Sequence, residues 1–88
     1  MLIGTLQIQN DSKTKSYAIY QGPKHKNFRV TVGPESVAAI YVQDGYGRTF
    51  FRAKPQGGGA NKDLIIASNC NKSKIIWVLP DNVATKCP

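Results

Sequence analysis

Five residues near the middle of the chain have the types and spacing to grip an anionic polymer: Tyr41, Arg48, Phe50, Arg52 and Lys54. A ring offers a face on which a nucleic-acid base stacks without sequence readout, at roughly 1–3 kcal/mol per base. Guanidinium and ammonium groups beside it meet phosphates and release condensed counterions. Such chemistry requires rings and cations on one solvent-facing surface. Asp44-Gly45-Tyr46-Gly47 has the composition of a hairpin loop, and on that reading Val42 faces Thr49, Tyr41 faces Phe50 and Ile40 faces Phe51. Side chains alternate across a strand, so Ile40, Val42 and Phe51 point inward while Tyr41, Arg48, Phe50 and Arg52 point outward. The alternative is a buried Tyr41–Phe50 pair beneath a second sheet with arginines at its rim. Two arginines flanking Phe50 weigh against it, because an unpaired buried arginine is costly.

Pro23-Lys24-His25-Lys26-Asn27-Phe28-Arg29 is the densest basic run. Lys24, Lys26 and Arg29 form either a secondary phosphate-contacting rim beside Tyr20 or a solvated hairpin loop. The loop over residues 55–62, with Gly57-Gly58-Gly59 at its centre and Lys54 and Lys62 at its ends, matches an anion cradle in composition only. It lacks the Gly-x-x-x-x-Gly-Lys-Ser/Thr spacing, and no helix follows to supply a dipole. Three consecutive glycines make it the most flexible segment of the sequence.

The stretch 44–51 resembles in part the octamer of RNA-recognition-motif proteins. It matches at Gly45, Tyr46, Gly47 and Phe51 and departs at Asp44, Arg48 and Thr49. An Asp-Gly hairpin turn accounts for the glycines equally well, so no family is assigned from it.

The chain has 88 residues and reads as one β-domain, 1–88, with no room for a second core. Lys and Arg number 12 against 5 Asp and Glu, a formal net charge of +7. The acids Asp11, Glu35, Asp44, Asp63 and Asp81 lie in turn-like or strand-edge contexts, where short carboxylates bond local backbone. The positive field is therefore largely unneutralised and favours nucleic acid or another polyanion. Catalysis is not expected: the single histidine, His25, sits between two lysines, and no paired carboxylates occur at a useful spacing. Neither a cofactor nor a metal is expected, since His25, Cys70 and Cys87 do not make a tetrahedral set.

No stretch is long enough to span a bilayer, and residues 1–5 lack the charged start of a signal peptide. The expected location is the cytoplasm, or a virion if the protein is viral. Cys70 and Cys87 either pair and pin the tail or stay as separate thiols, and reduced thiols are the default without an export signal. Asn10-Asp11-Ser12 and Asn71-Lys72-Ser73 fit the glycosylation sequon and read as turn composition.

The elements that must position these residues are short strands. Period-two alternation marks 2–9, 15–20, 27–32, 37–43, 48–54, 64–67 and 74–79. Tyr17 and Ile19 are assigned inward; Leu2, Gly4, Leu6 and Ile8 share one face of the first strand, and Phe28, Val30 and Val32 share one face of the third. Residues 64–66 and 75–79 are apolar on both faces, as expected of central strands or of a protein contact. The tail 80–88 reads as irregular. Together these define an all-β fold, a small, mostly antiparallel β-sandwich or partly open barrel of about seven strands.

Two functions from different classes follow. One is non-enzymatic binding of an anionic polymer, foremost single-stranded nucleic acid, through a basic-aromatic outer face. The other is a protein-interaction or homo-oligomeric assembly module, as in a virion component, a secreted effector or an inhibitor. Ile65, Ile76 and Trp77 would then supply the contact.

Overall fold

A computed structural model describes residues 3–43 and 48–87, with the side chains of Ile3 and Gln43 excepted; the Asp44–Gly47 loop lies outside the described residues. The chain forms β1 (Ile3–Asn10), β2 (Tyr17–Gln21), a single 3-10 turn (Pro23–His25), β3 (Asn27–Val32), β4 (Ser36–Gln43), β5 (Thr49–Pro55), β6 (Lys62–Ile66), β7 (Lys74–Leu79) and β8 (Val83–Ala84). They build two four-stranded sheets, ordered β4-β1-β7-β8 and β3-β2-β5-β6, which pack face to face without closing into a barrel. All seven expected strands are present. An eighth, β8, lies in the tail read as irregular.

Alternation places one side chain in two between the sheets. Leu6, Ile8, Tyr17, Ile19, Ile40, Val42, Phe51, Ile66, Ile75, Trp77 and Leu79 form one buried cluster. Each fully buried aliphatic or aromatic side chain there stabilises by about 1.5–3 kcal/mol. Trp77 is fully buried, and its indole N–H donates to Asn82 Oδ1 at 2.7 Å. The tryptophan assigned to a contact surface is therefore a core residue whose one polar atom is satisfied. Asn82 itself sits at φ 60, a left-handed position that asparagine tolerates better than most residues.

Pairing differs from the expected hairpin. Among the described residues β4 pairs only with β1, while β5 lies between β2 and β6 in the other sheet. Tyr41 is opposite Thr5, and Phe50 is opposite Ile65. Ile40, Val42 and Phe51 do point inward and are buried, but from facing layers. An inward alternation is satisfied equally by a neighbour in the sheet and by a partner across the core, which is why the pattern misled.

β1 and β7 run parallel, with Leu6 opposite Ile75 and Ile8 opposite Trp77, so β7 is central as expected. β6 is instead an edge strand, and Ile65 is 57% exposed. Cys70 and Cys87 are joined in a disulfide, which overturns the reduced default. Their Cα atoms lie 5.1 Å apart, a distance that spacing along the chain does not reveal.

The turn after β1 is organised by buried Asn10. Its Nδ2 donates to the carbonyls of Lys15, Val32 and Gly33, and its Oδ1 accepts from Ser12 N. An amide so enclosed cannot carry a glycan in the folded protein. It knots β1 to the start of β2 and the end of β3.

Candidate nucleic-acid interface

β3 carries the irregularity that shapes the site. Ile19 pairs with Val30, but Tyr20 pairs with Phe28, leaving Arg29 as an extra residue in a β-bulge. A bulge shifts the alternation by one, so Phe28 moves from the inner face, where strict period two places it, to the outer one. There it is 55% exposed and meets the Tyr20 ring edge-on, with centroids 5.6 Å apart. The displaced Arg29 turns to the open edge of the sandwich. Its guanidinium donates to Gln21 Oε1 and to the Tyr41 carbonyl at 2.7 Å, bridging β3 to β4. Arg29 thus acts as a clamp between the sheets, using two of its five N–H donors there.

Across the outer face of the second sheet the register runs Phe28–Tyr20–Arg52–Asp63. Phe50 lies two residues before Arg52 on β5, about 7 Å along the strand, with Ile65 beside it. Lys54 lies two residues after it, opposite Ala18. Exposed Arg48 precedes β5. Three rings and three of the five originally assigned residues, Phe50, Arg52 and Lys54, share this surface.

Tyr41 does not. It is 59% exposed on the outer face of the first sheet, among Thr5, Ala39 and Lys74. Its place in the aromatic set is taken by Tyr20 and Phe28. Tyr20 is outward in the sequence pattern, whereas nothing in the residue types marks the bulge that exposes Phe28.

The loop bearing Lys24 and Lys26 closes one end of the face. Gly22 N donates to the Phe50 carbonyl at 2.9 Å, and His25 N to the Gly22 carbonyl at 3.0 Å. Lys24 and His25 hold left-handed backbone angles, φ 60 and 50. Such positions cost on the order of 1–3 kcal/mol each for non-glycine residues. Lys24 and Lys26 are both exposed.

Arg52 is held by Asp63 in a two-pronged pair, Nε–Oδ1 2.8 Å and Nη2–Oδ2 3.0 Å. The hydrogen bond from Arg52 keeps the Asp63 carboxyl below its ordinary range; burial opposes this, and the charges of Arg52 and then His25 add to it. A depressed folded pKa means that the pairing contributes stability above the ordinary aspartate range. That stability is lost as pH falls through the folded value, below about 4. Near neutrality the pair is intact, and Asp63 is the acid that the described strands place on this face.

Asp63→Asn frees the guanidinium and raises the net charge from +7 to +8. If the face binds nucleic acid, this variant is expected to bind a short single-stranded oligonucleotide roughly twofold to fivefold tighter at low salt. Its log K against log salt slope should steepen by about 0.7. An unchanged slope contradicts a phosphate role for Arg52.

Among the described residues, no helix is long and apolar enough to cross a membrane. No protein-family model, no curated protein and no solved structure matches this chain. Function is therefore argued from the site alone.

Proposed function

We propose that the protein binds single-stranded nucleic acid, without catalysis, through the outer face of the β3-β2-β5-β6 sheet. One observation carries the reading: Tyr20, Phe28 and Phe50 share an outer face with Arg52 and Lys54, beside the Lys24–Lys26 loop. Rings stack bases and the cations meet phosphates, so affinity depends on salt more than on sequence. All three arginines of the chain lie in or beside this sheet. The disulfide favours action in a non-reducing setting over the reducing cytoplasm expected from the sequence.

Phe28→Ala is expected to weaken binding of a fluorescent oligothymidylate about tenfold, a loss within the range of one stacked base. Half-exposed Phe28 supports little of the core, so the melting curve should barely move. Tyr41→Ala, on the opposite sheet, should leave affinity unchanged. Anisotropy titrations of both variants at several salt concentrations test this. Equal losses for the two, or affinity indifferent to salt, defeat the proposal.

A second reading is supported by the first sheet, whose outer face exposes Val37, Tyr41 and Val83 with Ile76 and Val78 half-buried between them. An assembly role would use this face, with Ile76 retained and Trp77 excluded by burial. Sedimentation of the protein against Val37→Lys decides it: a stable oligomer lost in the variant favours assembly, and a monomer in both counts against it.

A further inference from the structure

At the end of the sandwich away from the Pro23–His25 turn, the turn after β1, the loop between β5 and β6 and the end of β7 border an open cleft of about 310 Å³. This lies at the small end of the range for ligand sites, about 300–1,000 Å³. Exposed Pro80 and the small exposed edges of otherwise buried Tyr17 and Pro55 give it an apolar wall, while Lys15 and Lys62 supply its charge. Among the described residues, no carboxylate lines it. Asp63, next to Lys62 in sequence, is bound to Arg52 on the outer sheet face.

The cleft is held from both sides. Ser12 Oγ accepts from the Thr14 and Lys15 amides, and Asn10 Nδ2 donates to the Lys15 carbonyl. Across the gap, Gln56 N donates to the Ser16 carbonyl, and Lys15 Nζ donates to the Gly58 carbonyl. Thus the glycine loop is tethered to the segment leading into β2, and Lys15 keeps two of its three ammonium protons for a ligand. Gly57 and Gly58 have φ of 86 and 99, and a Cβ at either would meet nothing. Their glycines serve the backbone path that puts the Gly58 carbonyl on Lys15, not a shortage of space. A site ordered before binding loses less entropy on taking its ligand.

We infer that this cleft binds a phosphate monoester carried on a ring-sized body, with Lys15 and Lys62 meeting the phosphate and the Tyr17–Pro55–Pro80 wall taking the ring. The residues are disjoint from the aromatic sheet face, so the inference stands or falls apart from the nucleic-acid proposal. Nucleotides and sugar phosphates share this chemistry.

The test is a titration of the full-length, disulfide-bonded ¹⁵N-labelled protein with adenosine monophosphate and, separately, with glucose 6-phosphate. Uncharged adenosine serves as the control. Amide shifts should concentrate at Ser12, Thr14, Lys15, Gly58 and Gly59 with at least one of the two esters, and the tighter one names the ring. Adenosine should bind at least tenfold more weakly than the monophosphate. Lys62→Gln should weaken ester binding roughly fivefold or more, the loss of one charge-assisted hydrogen bond, and Lys62→Arg should restore most of it. Phe28→Ala should leave these shifts in place. The inference is overturned if neither ester moves these amides, if adenosine binds as well as the monophosphate, or if Lys62→Gln binds like the parent.

Discussion

Gly4→Ala is expected to be the most damaging glycine-to-alanine change among the described residues. A Cβ at Gly4 would lie 2.0 Å from the Ser73 carbonyl oxygen, 2.7 Å from its carbon and 3.0 Å from its Cα. These are backbone atoms and cannot swing aside as a side chain would. Ser73 leads into β7, and its carbonyl accepts the Thr5 amide at 3.0 Å where the parallel β1–β7 ladder begins. Relieving the clash therefore separates the two strands that bury Leu6, Ile8, Ile75 and Trp77. A loss of about 3 kcal/mol or more is expected, a large part of the roughly 5–15 kcal/mol that holds a domain folded. Gly33→Ala is the control, since its Cβ would meet only Ser36 Oγ at 3.8 Å. That variant should stay within about 0.5 kcal/mol of the parent. Urea denaturation of both checks the account, and a Gly4→Ala midpoint equal to that of Gly33→Ala contradicts the parallel pairing.

Breaking the Cys70–Cys87 bond is expected to cost about 3 kcal/mol, the loop-closure entropy of a cross-link spanning 17 positions. The tail depends on this bond because its other ties are few. β8 contributes two residues paired to Trp77 and Val78, Thr85 N donates to the Ile76 carbonyl, and Ile76 N donates to Thr85 Oγ1. Released, residues 83–87 would uncover one edge of β7, while the β1–β4 and β2–β5–β6 pairings would persist. Denaturation of a Cys70→Ser/Cys87→Ser variant beside the parent measures the effect. Coincident midpoints would show that the pairing contributes nothing. Such a loss raises the small unfolded fraction by about two orders of magnitude.

Strand positions were legible because each strand has one face to bury. Leu6 and Ile8, Tyr17 and Ile19, Ile40 and Val42 all point where a period of two puts them. Strand partners were less legible. Ile40, Val42 and Phe51 need a common core, and facing layers satisfy that need as fully as a hairpin does. The Asp-Gly loop signal is local and says nothing of which sheet receives the next strand. Phe28 was misread because a bulge is one residue of backbone, invisible in residue types, and it reverses every side chain before it. The role of Arg29 in bridging the sheets was not legible, because a sequence shows its charge but not the Gln21 and Tyr41 oxygens it bonds. Asn10 passed as turn composition, although its three donated bonds place it among the buried polar groups that fix a fold. The candidate site was thus largely readable: its cations, Phe50 and outward Tyr20 from pattern, and Phe28 only from the register.

The central claim is that one outer face, and not the other, receives single-stranded nucleic acid. Its most direct measurement is backbone and aromatic NMR of the protein during addition of a short oligothymidylate at low and moderate salt. The account expects shifts at Tyr20, Phe28, Phe50, Arg52, Lys54 and the Lys24–Lys26 loop. Val37, Ala39 and Tyr41 should be silent, and the shifts should fade as salt rises. Shifts gathered on the first sheet, or none at all at low salt, contradict it.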